Sequence, residues 1–403
     1  MIKIVHFSDL HFGSGERHGT INPETGLNRR FEDFVTAFNK TIKFALDNKV
    51  DLVIFTGDTY KHATPEPIYQ REFAKGIRKL SANKIPTILL VGNHDILYRI
   101  DGSDALDIYD TLAIDHVIVF NKIELKNIKT KNGTIQVIAL PHITKSRLLA
   151  KEEYRSLAPK DQDNLMIQKI KEAISSCIEK LDQTNPAILL GHGTLEMAQF
   201  GSEQDLSIGK VLSYPLSFFQ NTNLDYVGFG HIHRHQILQK SNPVILYAGS
   251  LERVDFGEEG EDKGFVYLEI EKGNVSYEFK SISPRNFITI SCDLTSSNNL
   301  QSDLESEVIK KKKPDAIIRV RYKINEDDID KIQSDKIRNL IEDSFSYSIQ
   351  SEIVRKERTY KIDELDSTLI TQPMIALEKY LFDQTDEDKK KLLEKAKGII
   401  EQL

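Results

Sequence analysis

The residues in this 403-residue chain best equipped for chemistry are acids, histidines and one amide at short spacings: Asp9-Leu10-His11, Gly57-Asp58, Gly92-Asn93-His94-Asp95, Gly191-His192 and Gly230-His231-Ile232-His233. Carboxylate, imidazole and amide oxygen are donors for divalent metals. Asp9, Asp58, His11, His192, His231, His233 and Asn93 make seven of them. One mononuclear site does not need seven, but two sites sharing a carboxylate do. Asp58 is the natural bridge, because a carboxylate has two oxygens to share. Two divalent ions facing only two carboxylates keep a positive surplus that suits a phosphate. Ions ~3.5–4 Å apart clamp the attacking and leaving oxygens of an in-line displacement. His94, next to Asn93, is free to orient a phosphate and to protonate a leaving alkoxide. Each motif alone also reads as a turn, since Gly-Asn and Gly-Asp are good turn chemistry. What separates the readings is that every motif follows an apolar run.

Those runs are the elements that must position the donors. "IKIVHF", "DLVIFTG", "PTILLVG", "AILLG", "DYVGFG" and "PVILYAGS" are continuously apolar. They therefore read as strands buried on both faces. Amphipathic helical patterns lie between them: Arg29 to Lys49, "PIYQREFAKGIRKLSANK" and "MIQKIKEAISSCIEKL". Strand and helix in alternation give an α/β layered domain. Ligands of such sheets gather at the carboxyl ends of the strands, which is where the five motifs fall. The pattern changes near Ser283-Pro284. "FITISCDL" and "DAIIRVRYKI" alternate, on either side of a helix ending in Lys310, Lys311, Lys312 and Lys313. This predicts an α/β domain over 1–283, a small α+β domain over 284–358, and a linker with two amphipathic helices over 359–403. Asp386 is a fair helix start. Two lone amphipathic helices need a partner or the body of the protein to cover them.

Composition narrows the class. The chain is 39% hydrophobic and 29% charged, an ordinary globular balance. No apolar run reaches the ~18 residues of a membrane span, and "MIKIVHFSDLHFG" does not read as a signal peptide. Cys177 and Cys292 are too few for a disulfide framework or a thiolate metal site. A cytoplasmic protein is expected. The net charge of −7 means that any nucleic-acid contact must use a local basic face. Lys310 to Lys313, Arg319, Arg321 and Lys323 could supply one, though a lysine run is also an ordinary solvated helix end. Tyr60, Lys61, His62 and Arg99 lie in loops near the motifs and are candidate substrate contacts. His6 reads as a packed strand residue, His18, His116 and His142 as loop residues, and His235 as a surface residue.

The five motifs, in this order, resemble those of the calcineurin-like metallophosphoesterase superfamily. "HFSDLHFG", "GDTYKHATPEPIYQREF" and "AGSLERVDFGEEGEDKGF" are similar to stretches of its SbcD branch of DNA-repair exonucleases. The resemblance implies a four-layer αββα sandwich as the nuclease domain, a DNA-binding capping domain and a C-terminal helix pair. It implies one ion on Asp9, His11, Asp58 and His233, and a second on Asp58, Asn93, His192 and His231. His94 would be the catalytic acid, and Asp95 would steady its imidazole. Manganese is the implied metal, though the ligand types alone also admit iron or zinc. The implied activity is that of a manganese-dependent DNA exonuclease and endonuclease, nucleoid-associated, acting in double-strand-break or hairpin processing in DNA repair and recombination. The implied partners are a second copy of the chain, through Ile68 to Leu80 and Ile96 to Tyr109, and a coiled-coil ABC-type ATPase. The ATPase would bind Pro373 to Leu403, with Ile375, Leu377, Tyr380, Leu381, Leu392, Leu393, Ile399 and Ile400 as the apolar face. One position departs from the pattern: relatives carry a histidine three residues after the bridging Asp, where this chain has Lys61, then His62. Two other functions compete. A small-molecule phosphodiesterase or phosphatase would not need the second domain. A non-catalytic adaptor would tend to lose ligands, and here all seven remain.

Overall fold

The computed structural model describes residues 1–97, 103–145, 157–201, 212–220, 222–355, 373–381 and 386–400. The chain starts with β1 (Ile2–Phe7), α1 (Arg29–Asp47), β2 (Leu52–Phe55), α2 (Pro67–Ala82), β3 (Thr87–Leu90), α3 (Asp107–Thr111) and β4 (Val117–Phe120). It continues with β5 (Glu124–Thr130), β6 (Gly133–Leu140), α4 (Pro159–Ile178), β7 (Ala187–His192), the short pair β8 (Thr194–Leu195) and β9 (Ser213–Tyr214), β10 (Tyr226–Gly230), β11 (Gln236–Lys240) and β12 (Val244–Tyr247). The hairpin β13 (Gly264–Glu271) and β14 (Asn274–Ser281) closes the first domain. Two six-stranded sheets result, in the orders β14-β13-β1-β2-β3-β4 and β11-β12-β10-β7-β6-β5.

The strands are apolar throughout because both faces are covered. Along β1, Ile2 and Ile4 enter a core between the sheets with Leu52, Ile54, Val137, Ile188 and Leu246. Val5 and Phe7 face the other way, onto Phe31, Phe34 and Phe38 of α1 and Phe73 and Ile77 of α2. On the far side, Leu189, Val227 and Ile245 meet Met166, Ile170 and Ile174 of α4. These cores define four layers, helix–sheet–sheet–helix. Asn28 caps α1 by accepting the Arg30 N–H at 2.8 Å, and Pro67 opens α2. β1 to β4 run parallel, as do β6, β7, β10 and β12. The sheets meet at their carboxyl ends, where Ser8 bridges Ser250. No helix among the described residues is long and apolar enough to cross a membrane.

The second unit comprises β15 (Phe287–Asp293), α5 (Leu300–Lys311), β16 (Ile317–Asn325), α6 (Ser334–Leu340) and β17 (Ser346–Val354). It has its own core, with Ile290, Leu304, Val308, Val320 and Ile337. All three strands pair in parallel, so crossover helices, not the hairpins that alternation alone would allow, join them. Alternation sends Val320, Tyr322 and Ile324 of β16 inward and leaves Arg319, Arg321 and Lys323 on the open face. Arg285 ties this unit to the first: Nε and Nη2 donate to the Asp33 carboxylate at 2.6 Å each, and the guanidinium lies 3.6 Å over the Phe345 ring.

α7 (Pro373–Tyr380) and α8 (Asp386–Ile400) flank a groove of about 410 Å³ lined by Met374, Lys389, Leu393 and Lys397. Leu381 is buried, whereas Ile375, Leu392 and Ile399 are exposed. The side chains of Tyr380 and Ile400 fall outside the described residues, as does all of Arg99. Of the expected dimer segments, α2 turns Tyr69, Phe73, Ile77 and Leu80 into its own core. Leu106 and Tyr109 are likewise core residues, so among the described residues only Ile108 and neighbouring Leu112 remain as exposed apolar groups there.

Candidate metal centre

Asp9 and His11 follow β1, Asp58 follows β2, and Asn93 to Asp95 follow β3. His192 ends β7, while His231 and His233 follow β10. The strands deliver these residues to one edge, and the backbone then bends sharply to aim them. Asp9, His11, Asp58 and His231 have positive φ, at 53°, 46°, 59° and 95°. Non-glycine residues rarely take this conformation, at a cost on the order of 1 kcal/mol or more each. Backbone bonds hold them there: Asp9 N–H to Gly57 O, His11 N–H to Asp58 O and Phe12 N–H to Thr59 O, each 3.0 Å. Gly57, at φ 94°, leaves no room for a side chain, since a Cβ would lie 2.6 Å from His192 Nδ1.

The seven expected donors converge. His11 Nε2 lies 2.9 Å from His233 Nε2 and 3.6 Å from Asp58 Oδ2. On the other side of the same oxygen, His192 Nε2 lies 3.3 Å away. Asn93 Oδ1 faces His192 Nε2 at 3.0 Å and His231 Nδ1 at 2.9 Å. Among the described residues, three overlapping groups have donor atoms within 4.8 Å of one another: Asp9, His11 and His233; His11, Asp58 and His94; Asp58, His192 and His231. Nitrogen and oxygen ligands around an ion at ~2.0–2.2 Å would stand about 3 Å from each other, so this donor set fits two divalent ions. His94 is an eighth group within reach. It is half-buried, unlike the six buried Asp and His donors.

The surroundings fix which nitrogen points inward. His192 Nδ1 contacts Thr56 O at 2.6 Å, and His233 Nδ1 contacts Glu258 Oε1 at 2.7 Å. Both leave Nε2 for the centre. Burial alone would lower the His192 pKa, but the Asp58 carboxylate more than offsets it and raises it to about 9. Asp58 is correspondingly held well below the usual carboxylate range: burial opposes this, and His192, His94 and His11 outweigh it. Burial pushes Asp9 up to about 6 against the pull of His192 and His233. His231 is pulled down to about 3 by burial, then by His192, with His142 adding to the effect.

Several expectations need correction. Asp95 does not steady the His94 ring. Its buried carboxylate accepts the N–H groups of Gly92, Asp58 and Thr59, each at 3.0 Å. The His94 ring instead meets the Lys61 carbonyl through Nδ1 at 2.9 Å. Tyr60 is no substrate contact, for it is 1% exposed, packed on Phe73, with its hydroxyl 3.5 Å from that of Tyr109. Lys61 and His62 are exposed beside His94. The lysine run is largely engaged at home: Lys311 pairs with Glu307 at 3.0 Å, and Lys312 donates to Leu340 O at 2.6 Å. His6 is packed as expected, between Tyr226 Oη at 2.6 Å and Thr56 Oγ1 at 2.9 Å. His18 lies in a 3-10 turn against Phe256 and Phe287. His142 follows β6, a strand that the apolar runs do not announce, and its charge reaches His231. His235 stacks on Phe279 at 4.2 Å.

Two residues of the centre are invisible to the motifs. Glu258 is fully buried and receives Lys263 Nζ at 2.8 Å. Lys263 is fully buried too, and it also donates to His233 O at 3.0 Å. Their sequence signal is the stretch "AGSLERVDFGEEGEDKGF", which contains both but gives neither a role.

The calcineurin-like phosphoesterase family model matches residues 2–235. The chain is 27% identical over 291 residues to the DNA double-strand break repair protein Mre11 of Thermoplasma acidophilum, covering 70% of this chain and 66% of that protein. It is 28% identical over 285 residues to an SbcCD nuclease subunit of Staphylococcus epidermidis, covering 69% of this chain and 68% of that protein. The chain therefore spans about two thirds of the length of these relatives. Among solved structures, TT1561 of Thermus thermophilus aligns with a TM-score of 0.41 at 15% identity, over 69% of this chain and 98% of that one.

Proposed function

Since the chain belongs to the calcineurin-like phosphoesterase family, we propose that it is a two-metal DNA phosphodiesterase, an exonuclease and endonuclease of double-strand-break or hairpin processing. The observation that carries the reading is the convergence of seven donors from two sheets, with Asp58 Oδ2 within 3.6 Å of His11 Nε2 and 3.3 Å of His192 Nε2. In this reading Asp9, His11, Asp58 and His233 hold one ion, and Asp58, Asn93, His192 and His231 the other. Manganese is the proposed metal. Two such ions polarise a phosphoryl oxygen and favour in-line displacement. His94 is assigned to the substrate. Its Nδ1 is engaged by the Lys61 carbonyl, which leaves Nε2 to orient the phosphate and give a proton to the leaving alkoxide. Lys61 and His62, exposed on the loop after β2, are assigned to a neighbouring phosphate.

DNA as substrate is supported by the nuclease and DNA-repair names of the two relatives and by the open face of the second unit. There Arg319 and Arg321 pair in register with Thr289, Ser291, Ser348 and Gln350, a row of cations among hydrogen-bonding groups. Lys323 sits between Asp293 and Glu352 and is largely neutralised. Arg319 lies over the Phe256 ring and donates to Thr289 Oγ1 at 3.0 Å, so the basic footprint narrows to the exposed Arg321. A homodimer, with Ile108 and Leu112 in its interface, and a coiled-coil ATPase seated on α7 and α8 complete the proposal. A cytoplasmic, nucleoid-associated protein accords with such a complex.

The test is hydrolysis by the purified full chain with Mn²⁺. Linear and hairpin-ended duplexes are expected to be degraded. Fast turnover of bis(p-nitrophenyl) phosphate or nucleotides with intact duplex would mark a small-molecule phosphodiesterase instead.

A further inference from the structure

Among the described residues, His233 is the one expected ligand whose outer nitrogen meets a carboxylate. The pair is buried: Glu258 is 0% exposed and His233 8%. Glu258 Oε1 takes His233 Nδ1 at 2.7 Å, while Oε2 takes Lys263 Nζ at 2.8 Å and the Val254 N–H at 3.1 Å. Lys263 returns to the His233 carbonyl at 3.0 Å and to Glu261 at 2.9 Å. Side chain and main chain of His233 are thus gripped by one ion pair. A carboxylate behind a ligating imidazole fixes its tautomer and raises its basicity.

Glu258 sits in a 3-10 turn, Phe256–Glu258, and the second unit holds that turn. The Phe256 ring lies 4.9 Å from the Phe287 ring, edge-on, and under the Arg319 guanidinium at 4.2 Å. Next along the chain, Glu259 Oε1 accepts the Thr289 N–H at 2.9 Å. Three contacts from β15 and β16 therefore fall within two residues of the carboxylate that aims His233. A shift of the second unit cannot leave the turn where it is.

We infer that Glu258, braced by Lys263, is a positioning residue for the His233 metal site, and that the Phe256–Glu258 turn couples docking of the capping unit to the affinity of that site. The inference rests on the two-ion reading above. By reciprocity, whatever moves the cap changes how tightly this ion is held, and the ion in turn stiffens the cap. Among the described residues, the second site, around Asn93, His192 and His231, has no such link. The two ions are therefore unequal partners, one fixed by the α/β body and one answerable to the cap.

Mn²⁺ binding to the full chain tests this, by isothermal titration together with the electron paramagnetic resonance signal of the bound ion. Wild-type protein should bind two ions. If it binds fewer, the two-ion reading itself fails and this inference goes with it. Glu258→Gln should weaken one ion roughly tenfold or more and leave the other within about twofold, with an altered spectrum for the weakened ion. Phe256→Ala, which removes the Phe287 and Arg319 contacts of the turn along with its contact to His18, should weaken the same ion by roughly fivefold, and His18→Ala, which touches the same ring from the first domain, should not. Glu258→Asp should restore part of the loss. Wild-type affinity at both sites in folded Glu258→Gln overturns the positioning role. Equal weakening of both sites overturns it too, because that is the mark of general damage. Should Glu258→Gln fail to fold, Phe256→Ala decides alone: unchanged affinities overturn the coupling.

Discussion

The carboxylate of Asp95 receives the backbone N–H of Asp58 at 3.0 Å, so the acid of one strand end sets the backbone of the next. The same group takes Gly92 and Thr59. Asp95→Asn keeps the shape but turns one acceptor into a donor, leaving at least one buried N–H unpaired. A loss of ~1–3 kcal/mol is expected in urea unfolding, with weaker Mn²⁺ binding in titration. Wild-type stability would show that the clamp does not depend on both oxygens.

His94→Ala should lower duplex hydrolysis by ~10²–10⁴-fold while both ions still bind. Steady-state rates and titration separate the two effects. If rates hold, the proton donor lies elsewhere; if an ion is lost, His94 is the eighth ligand that its distance allows.

Ion binding should release protons. Asp58, overcoming burial, holds His192 at about 9, so at neutral pH the ring must give up a proton to coordinate. Titration at pH 7 in buffers of different ionisation enthalpy should reveal about one proton released, and affinity should fall as pH drops. Chelation should lower the melting temperature. At a hundredfold excess over Kd, Mn²⁺ should return ~2.7 kcal/mol.

His6 gives the fold an acid limit. Burial, with His235 adding to it, lowers its pKa from 6.5 to about 3. Between those values the unfolded chain binds a proton that the native state refuses. Its contribution is therefore complete above pH 6.5 and shrinks toward pH 3, by up to ~1.4 kcal/mol per pH unit. His6→Gln, able to bond Tyr226 and Thr56, should show a shallower fall in stability between pH 6 and 4. Identical slopes would reject the assignment.

Arg321→Gln should weaken duplex binding across all sequences and flatten the plot of log K against log salt by about 1. Lys310→Gln, on the lysine run, should change little. The opposite ranking in a salt-dependent anisotropy assay would return the contact to the helix end.

Donor residues are legible in the sequence because strands end abruptly: an apolar run that stops at Asp9, Asp58 or His192 announces both the strand and the side chain it delivers. What lies behind the donors is hidden because it depends on tertiary pairing. Asp95 sits next to His94 in sequence, yet its oxygens face backbone N–H groups from another loop. Nothing local ties Glu258 to His233, which lies 25 residues away. Tyr60 has the sequence setting of a loop residue, but the chain past β2 still runs beside Phe12, in a bridge that carries it into the core. The strand β6 is masked because polar Gln136 interrupts its apolar run; the Gln136 amide serves the Asp182 and Asn185 carbonyls at the sheet's far end.

The donors divide by sheet: Asp9, His11, Asp58 and Asn93 from the first, His192, His231 and His233 from the second. During synthesis the first group leaves the ribosome well over ninety residues ahead of the last. A truncated or half-folded chain therefore carries an incomplete set, and phosphoester cleavage must wait until the two sheets have closed on each other. The donor set is thus its own certificate of folding.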